Sequence, residues 1–113
     1  MYNLLRITSI EDLHSALQQS TSQPLLLFKH STRCPISSGA HREFTAYLNA
    51  APNEGVIYGL IYVIEDREVS NAAAELLGVK HESPQAILVK NGQAVWNTSH
   101  SQITSGALQG ILG

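Results

Sequence analysis

Residues 25–37 read Leu-Leu-Leu-Phe-Lys-His-Ser-Thr-Arg-Cys-Pro-Ile-Ser, and the change of character along this stretch decides the architecture. Leu25 to Phe28 is a continuous apolar run too short for an ordinary helix, the pattern of a central strand covered on both faces. Lys29 to Cys34 then turns directly into a helix starting near Pro35, because proline suits the first helical position, where its missing N–H is not needed. Phe44, Tyr47 and Leu48 carry the helical spacing forward, and Pro52-Asn53-Glu54-Gly55 ends it in a loop.

Working outward, Leu4 to Ile7 is a short apolar start. Ser9 can cap a helix over about Ile10–Gln19, with Glu11 and Asp12 in its first turn and Ile10, Leu13, Ala16 and Leu17 on one face. Downstream, Val56 to Ile64 is rich in Val, Ile and Tyr and reads as a strand. A third helix is predicted over about Glu68–Leu77, with Gly78 at its carboxyl cap. Ala86–Lys90 and Gln93–Asn97 flank Asn91-Gly92, whose tolerance of positive backbone angles predicts a tight two-residue hairpin. Ile103 to Leu112 reads as a last helix, weakened by Gly106 and Gly110. The order gives an α/β fold in one domain, residues 1–113: a central mixed sheet of four or five strands with helices on both faces.

With 43% hydrophobic residues, 14% charged residues and a net charge of -2, composition favours neither disorder nor a nucleic-acid surface. No apolar run approaches the ~20 residues that cross a bilayer, and residues 1–20 lack the basic, apolar, small-residue pattern of a signal peptide. The expectation is a cytoplasmic protein without nucleic-acid or membrane partners. Its one cysteine cannot form an internal disulfide, and the ordinary reading of such a residue is a small buried hydrophobe. Position argues otherwise. The elements place Cys34 at the carboxyl end of a central strand and the amino end of the next helix, where unpaired N–H groups and the helix dipole favour a thiolate, the nucleophile of disulfide exchange.

Lys29-His30-Ser31-Thr32-Arg33-Cys34-Pro35-Ile36-Ser37 resembles the active-site segment of bacilliredoxins of the YtxJ type, thioredoxin-like proteins with a Cys-Pro-Ile-Ser motif. Lys80-His81-Glu82-Ser83-Pro84-Gln85 resembles the same family's segment before the last hairpin, and Val95-Trp96-Asn97 followed by His100 is similar too. The resemblance implies a thioredoxin-like fold and a monothiol thiol-disulfide oxidoreductase. By that analogy Cys34 attacks proteins carrying a mixed disulfide with bacillithiol, a low-molecular-weight thiol, frees the client thiol and keeps bacillithiol as its own adduct. Bacillithiol is then a co-substrate, no cofactor is tightly bound, and a second thiol or a disulfide reductase restores Cys34. Ser37 stands where dithiol relatives carry a resolving cysteine. Phe28, six residues before Cys34, stands where many of them place a buried carboxylate, a group with no task in a monothiol protein. The family further implies a cis bond at Ser83-Pro84, facing the cysteine and offering the backbone of Ser83 to an extended substrate. Thr32, Arg33, Pro35, Ser37, Ser83 and Pro84 are thus the expected substrate-binding residues around Cys34.

Other residues receive plainer readings. Lys29 is expected to be solvated, and Arg33 either adds positive charge beside the thiol or is solvated as well. Ser31, Thr32 and Ser37 can cap the helix or hydrogen-bond the sulfur. His14, His30, His41, His81 and His100 show no paired metal-ligand spacing, so no metal site is expected, although His30 and His100 could approach Cys34. Tyr58, Tyr62 and Trp96 read as core or half-buried strand residues, and residues 65–68 as a solvated loop and helix start. Two alternatives stay open: an iron-sulfur carrier like the monothiol glutaredoxins, and a redox-inert thioredoxin-like binding module.

Overall fold

The computed structural model describes residues 2–113. In chain order the elements are β1 (Asn3–Arg6), α1 (Ile10–Gln19), β2 (Leu25–His30), α2 (Pro35–Ala50), β3 (Ile57–Tyr62), α3 (Arg67–Leu77), β4 (Gln85–Lys90), β5 (Gln93–Ser99) and α4 (Ser105–Leu112). They form one five-stranded sheet in the order β1-β3-β2-β4-β5. β1 and β2 flank β3 in parallel, whereas β4 is antiparallel to both β2 and β5. The sheet is therefore mixed, as the element order implies.

Alternation of side chains along each strand divides the core into two layers. Leu26 and Phe28 of β2 join Tyr58 and Leu60 of β3 and Ala86 and Leu88 of β4 on one face, covered by Phe44, Tyr47 and Leu48 of α2 and Leu108 of α4. Leu25, Leu27, Ile57, Ile61, Ile87 and Val89 form the other face, covered by Leu13 and Ala16 of α1 and Val69 and Ala73 of α3. Gly59 of β3 has a packing reason. A Cβ there would come within 2.8 Å of Ile7 and 2.9 Å of Leu27, two side chains that fill the second layer.

Local chemistry sets the ends. Ser9 accepts a hydrogen bond from the Asp12 amide and starts α1, and Gly78, at φ 65, ends α3 in the left-handed conformation. Asn91 (φ 54) and Gly92 (φ 71) make the tight β4–β5 hairpin. The last helix, expected from about Ile103, begins two residues later at Ser105. Residues 100–102 form a short 3-10 turn, Ile103 is buried, and Thr104 then caps α4 by accepting from the Ala107 amide.

Two readings are corrected. β2 extends two residues past the apolar run, so Lys29 lies inside a central strand, fully buried rather than solvated. Asp66, expected in a solvated loop, has a side chain only 15% exposed, and its carboxylate lies 3.6 Å from the Arg6 guanidinium. No helix among the described residues is long and apolar enough to cross a membrane.

Candidate functional site

The site lies where β2 and α2 meet. Cys34 is the residue before the first turn of α2, with extended backbone angles (φ -110, ψ 120) and Pro35 next in the helix. Its amide donates to Ser31 O (3.3 Å) in the turn leaving β2, and its carbonyl accepts from the Ser38 amide (3.0 Å), the first helical bond. The side chain makes no capping hydrogen bond, and the residue is partly exposed. The sulfur thus stands at the open amino end of a 16-residue helix, where the first amides have no intrahelical partner.

The segment on the far side of the strand pair is Ser83-Pro84, whose peptide bond is cis. Lys29 of β2 is in register with Gln85 of β4, so the chain leaving β2 toward Cys34 and the chain entering β4 through Pro84 run side by side at one end of the sheet. Pro84 is buried and Ser83 half-buried, and Ser83 Oγ is enclosed without a hydrogen-bond partner. Pro84 O accepts from the His100 amide (3.0 Å), which draws the 3-10 turn up to the same edge. His100 Nε2 also lies 3.8 Å from a Glu82 carboxylate oxygen. Thr32, Arg33 and Pro35 are exposed around the cysteine.

Ser37 does not belong to this exposed set. It is 0% exposed, and its Oγ accepts from the Ser31 amide at 2.9 Å and lies 2.8 Å from His30 Nδ1. The expectation that Ser37 touches substrate is corrected: its hydroxyl instead ties the turn between β2 and α2 to the helix. His30, at the end of β2, is buried, and its ring stacks on His41 of α2 at a centroid distance of 4.6 Å. Burial lowers the pKa of His30, and a charged His41 would lower it further, against smaller opposing effects from Glu65 and the Ser37 contact. His30 is therefore neutral at pH 7, a state that lets it share a hydrogen bond with Ser37 in either tautomer.

We expect Ser37→Ala to strand the Ser31 amide and His30 Nδ1 and cost about 1 to 3 kcal/mol of stability. Urea denaturation would measure this. The first exchange at Cys34 should remain largely intact; its loss would show a chemical task for Ser37.

A second polar cluster lies on the opposite face of β2. Lys29 Nζ donates to Ser70 O of α3 (2.9 Å) and lies 3.3 Å from His81 Nδ1, and Ser70 Oγ is also 3.3 Å from that nitrogen. Burial lowers the Lys29 pKa from 10.5 to about 8. Burial also lowers that of His81, with the Lys29 charge acting in the same direction. A neutral His81 can accept from the ammonium, so the cluster fastens the loop leading to Pro84 onto β2. The sequence held one sign of it, a lysine next to a continuous apolar run; its partners are 41 and 52 residues away.

A family model described as monothiol bacilliredoxin BrxC matches residues 5–108 of the chain. Among solved structures, a protein described as having a thioredoxin fold superposes with a TM-score of 0.81 at 30% identity, over 95% of this chain and 91% of that one. A Malassezia sympodialis thioredoxin (TM-score 0.78, 13% identity, 99% and 90% covered) and a Fasciola hepatica thioredoxin (0.73, 14%, 99% and 96%) share the fold.

Proposed function

Because the chain belongs to the monothiol bacilliredoxin family and has the thioredoxin fold, we propose that it removes bacillithiol from modified client proteins through Cys34. The family makes it a thiol oxidoreductase with thiol-based redox partners. The observation that carries the finer reading is the placement of the chain's one cysteine, partly exposed at the amino end of α2 and at the same end of the sheet as the Ser83-Pro84 segment.

In the proposed step the Cys34 thiolate attacks the bacillithiol sulfur of the mixed disulfide. A Cys34–bacillithiol disulfide forms, the bond to the client sulfur breaks, and the client leaves as a thiolate that takes its proton from water. One disulfide replaces another, with no net oxidation. The sulfur reacts at the amino end of α2, where the first amides have no intrahelical partner. Thr32, Arg33 and Pro35 border the sulfur, and the Ser83 backbone offers strand-like pairing to the client. Ser37 is left out of this set by its burial. The protein needs no bound cofactor in this scheme. A second thiol or a disulfide reductase of the cytoplasm attacks the adduct and returns Cys34 to the thiol.

With one cysteine, the chain can accept bacillithiol but cannot eject it unaided. We therefore expect one equivalent of client thiol to be freed per chain when no reductant is present, with turnover resuming when a low-molecular-weight thiol is added. Titration of freed client thiol measures this. No release, or continued release without reductant, would overturn the reading.

A further inference from the structure

A groove of about 490 Å³ opens beside the exchange site, between α2 and the segment 100–104, and its volume suits a small molecule. On α2 its wall is the stripe Ile36, Gly39, Ala40 and Glu43, spaced as one helical face and about 10 Å long at 1.5 Å per residue. The stripe begins two residues after Cys34, and Ile36 is 53% exposed there. The facing wall includes His100, whose amide is bonded to Pro84 O, so both walls are anchored to the site.

The charges in the groove are unequally committed. Glu43 Oε1 accepts from the Ser105 amide at the start of α4 (2.9 Å), and His100 faces Glu82 at 3.8 Å. The exposed Arg42 side chain also lines the groove and makes no hydrogen bond or ion pair among the described residues. An apolar entrance beside the reacting sulfur, followed by an uncommitted guanidinium, suits a short thiol bearing an anionic group.

We propose that this groove seats the small-thiol half of the mixed disulfide and that Arg42 gives it a preference for thiols carrying a carboxylate. The inference rests on exchange at Cys34 and adds where the transferred group lies. A client chain is the poorer occupant, because the α2 wall of the groove is only about 10 Å long and begins two residues from the sulfur that carries the adduct.

Two probes of similar size test it: 3-(2-pyridyldithio)propionate and 2-(2-pyridyldithio)ethanol. In each, the Cys34 thiolate attacks the aliphatic sulfur and forms a mixed disulfide, and the pyridine-2-thiolate leaves, is protonated by water and is read as 2-thiopyridone. The readout is the ratio of the two rates, each divided by that of a free small thiol. The wild type should favour the propionate by roughly three- to fivefold, the scale of one partly exposed ion pair. Arg42→Gln should bring the ratio to about one, and Ile36→Glu, with a carboxylate at the entrance, should bring it below that of the wild type. An unchanged ratio in Arg42→Gln, or no preference in the wild type, overturns the groove assignment while leaving exchange standing. Failure of both probes to react with the wild type would overturn exchange itself.

Discussion

Cys34→Ser should reduce release of bacillithiol from a modified client to the uncatalysed rate, with the protein still folded. A serine hydroxyl is not ionised at neutral pH and forms no disulfide, and no second cysteine can take over. The fold should be indifferent to the change. Cys34 is partly exposed, its side chain makes no capping hydrogen bond, and serine is a favoured residue at this helix position. Circular dichroism and urea denaturation would report a native midpoint beside the absent activity. Retained release in Cys34→Ser would remove the sulfur from the mechanism.

The second large effect is on stability. Lys29 is buried in β2, and its pKa of about 8 lies below the 10.5 of the unfolded chain. Between those values the unfolded chain holds a proton that the folded chain has released, so stability rises with pH across the window. Below about pH 8 both states are protonated and the full penalty of the buried ammonium applies. At 1.36 kcal/mol per unit, that penalty is about 3 kcal/mol. Lys29→Met keeps an unbranched chain of similar length and has nothing to titrate. The difference in unfolding free energy between wild type and Lys29→Met should therefore shift by up to about 3 kcal/mol toward the wild type from pH 7.5 to 10.5. Taking the difference cancels the contributions common to both proteins. A difference that stays flat with pH would show that the ammonium is not held out of water.

These two residues also mark how far the sequence could be read. The Leu25–Phe28 run and Pro35 located the strand-to-helix turn and with it Cys34, because continuous apolarity and the first-turn preference of proline are local signals. Ser9, Gly78 and Asn91-Gly92 set element ends for the same reason. Whether Lys29 and His30 were strand or turn was not local. Both are buried because β2 continues between β3 and β4, and Lys29 finds its partners on α3 and in the loop before Pro84. Ser37 was misread because the motif gives its spacing from Cys34 but not its direction, which points inward to His30 and Ser31. The groove was illegible for a similar reason: its walls come from α2 and from a 3-10 turn that the periodicity of residues 103–112 did not reveal.

Cys34 as acceptor of the small thiol is tested most directly by intact mass after equimolar wild-type chain and a bacillithiolated client are mixed without reductant. The account predicts a chain heavier by one bacillithiol less two hydrogens, with the addition mapped to the peptide containing Cys34 and the client at its unmodified mass. A chain of unchanged mass beside a client that still carries its bacillithiol would contradict it.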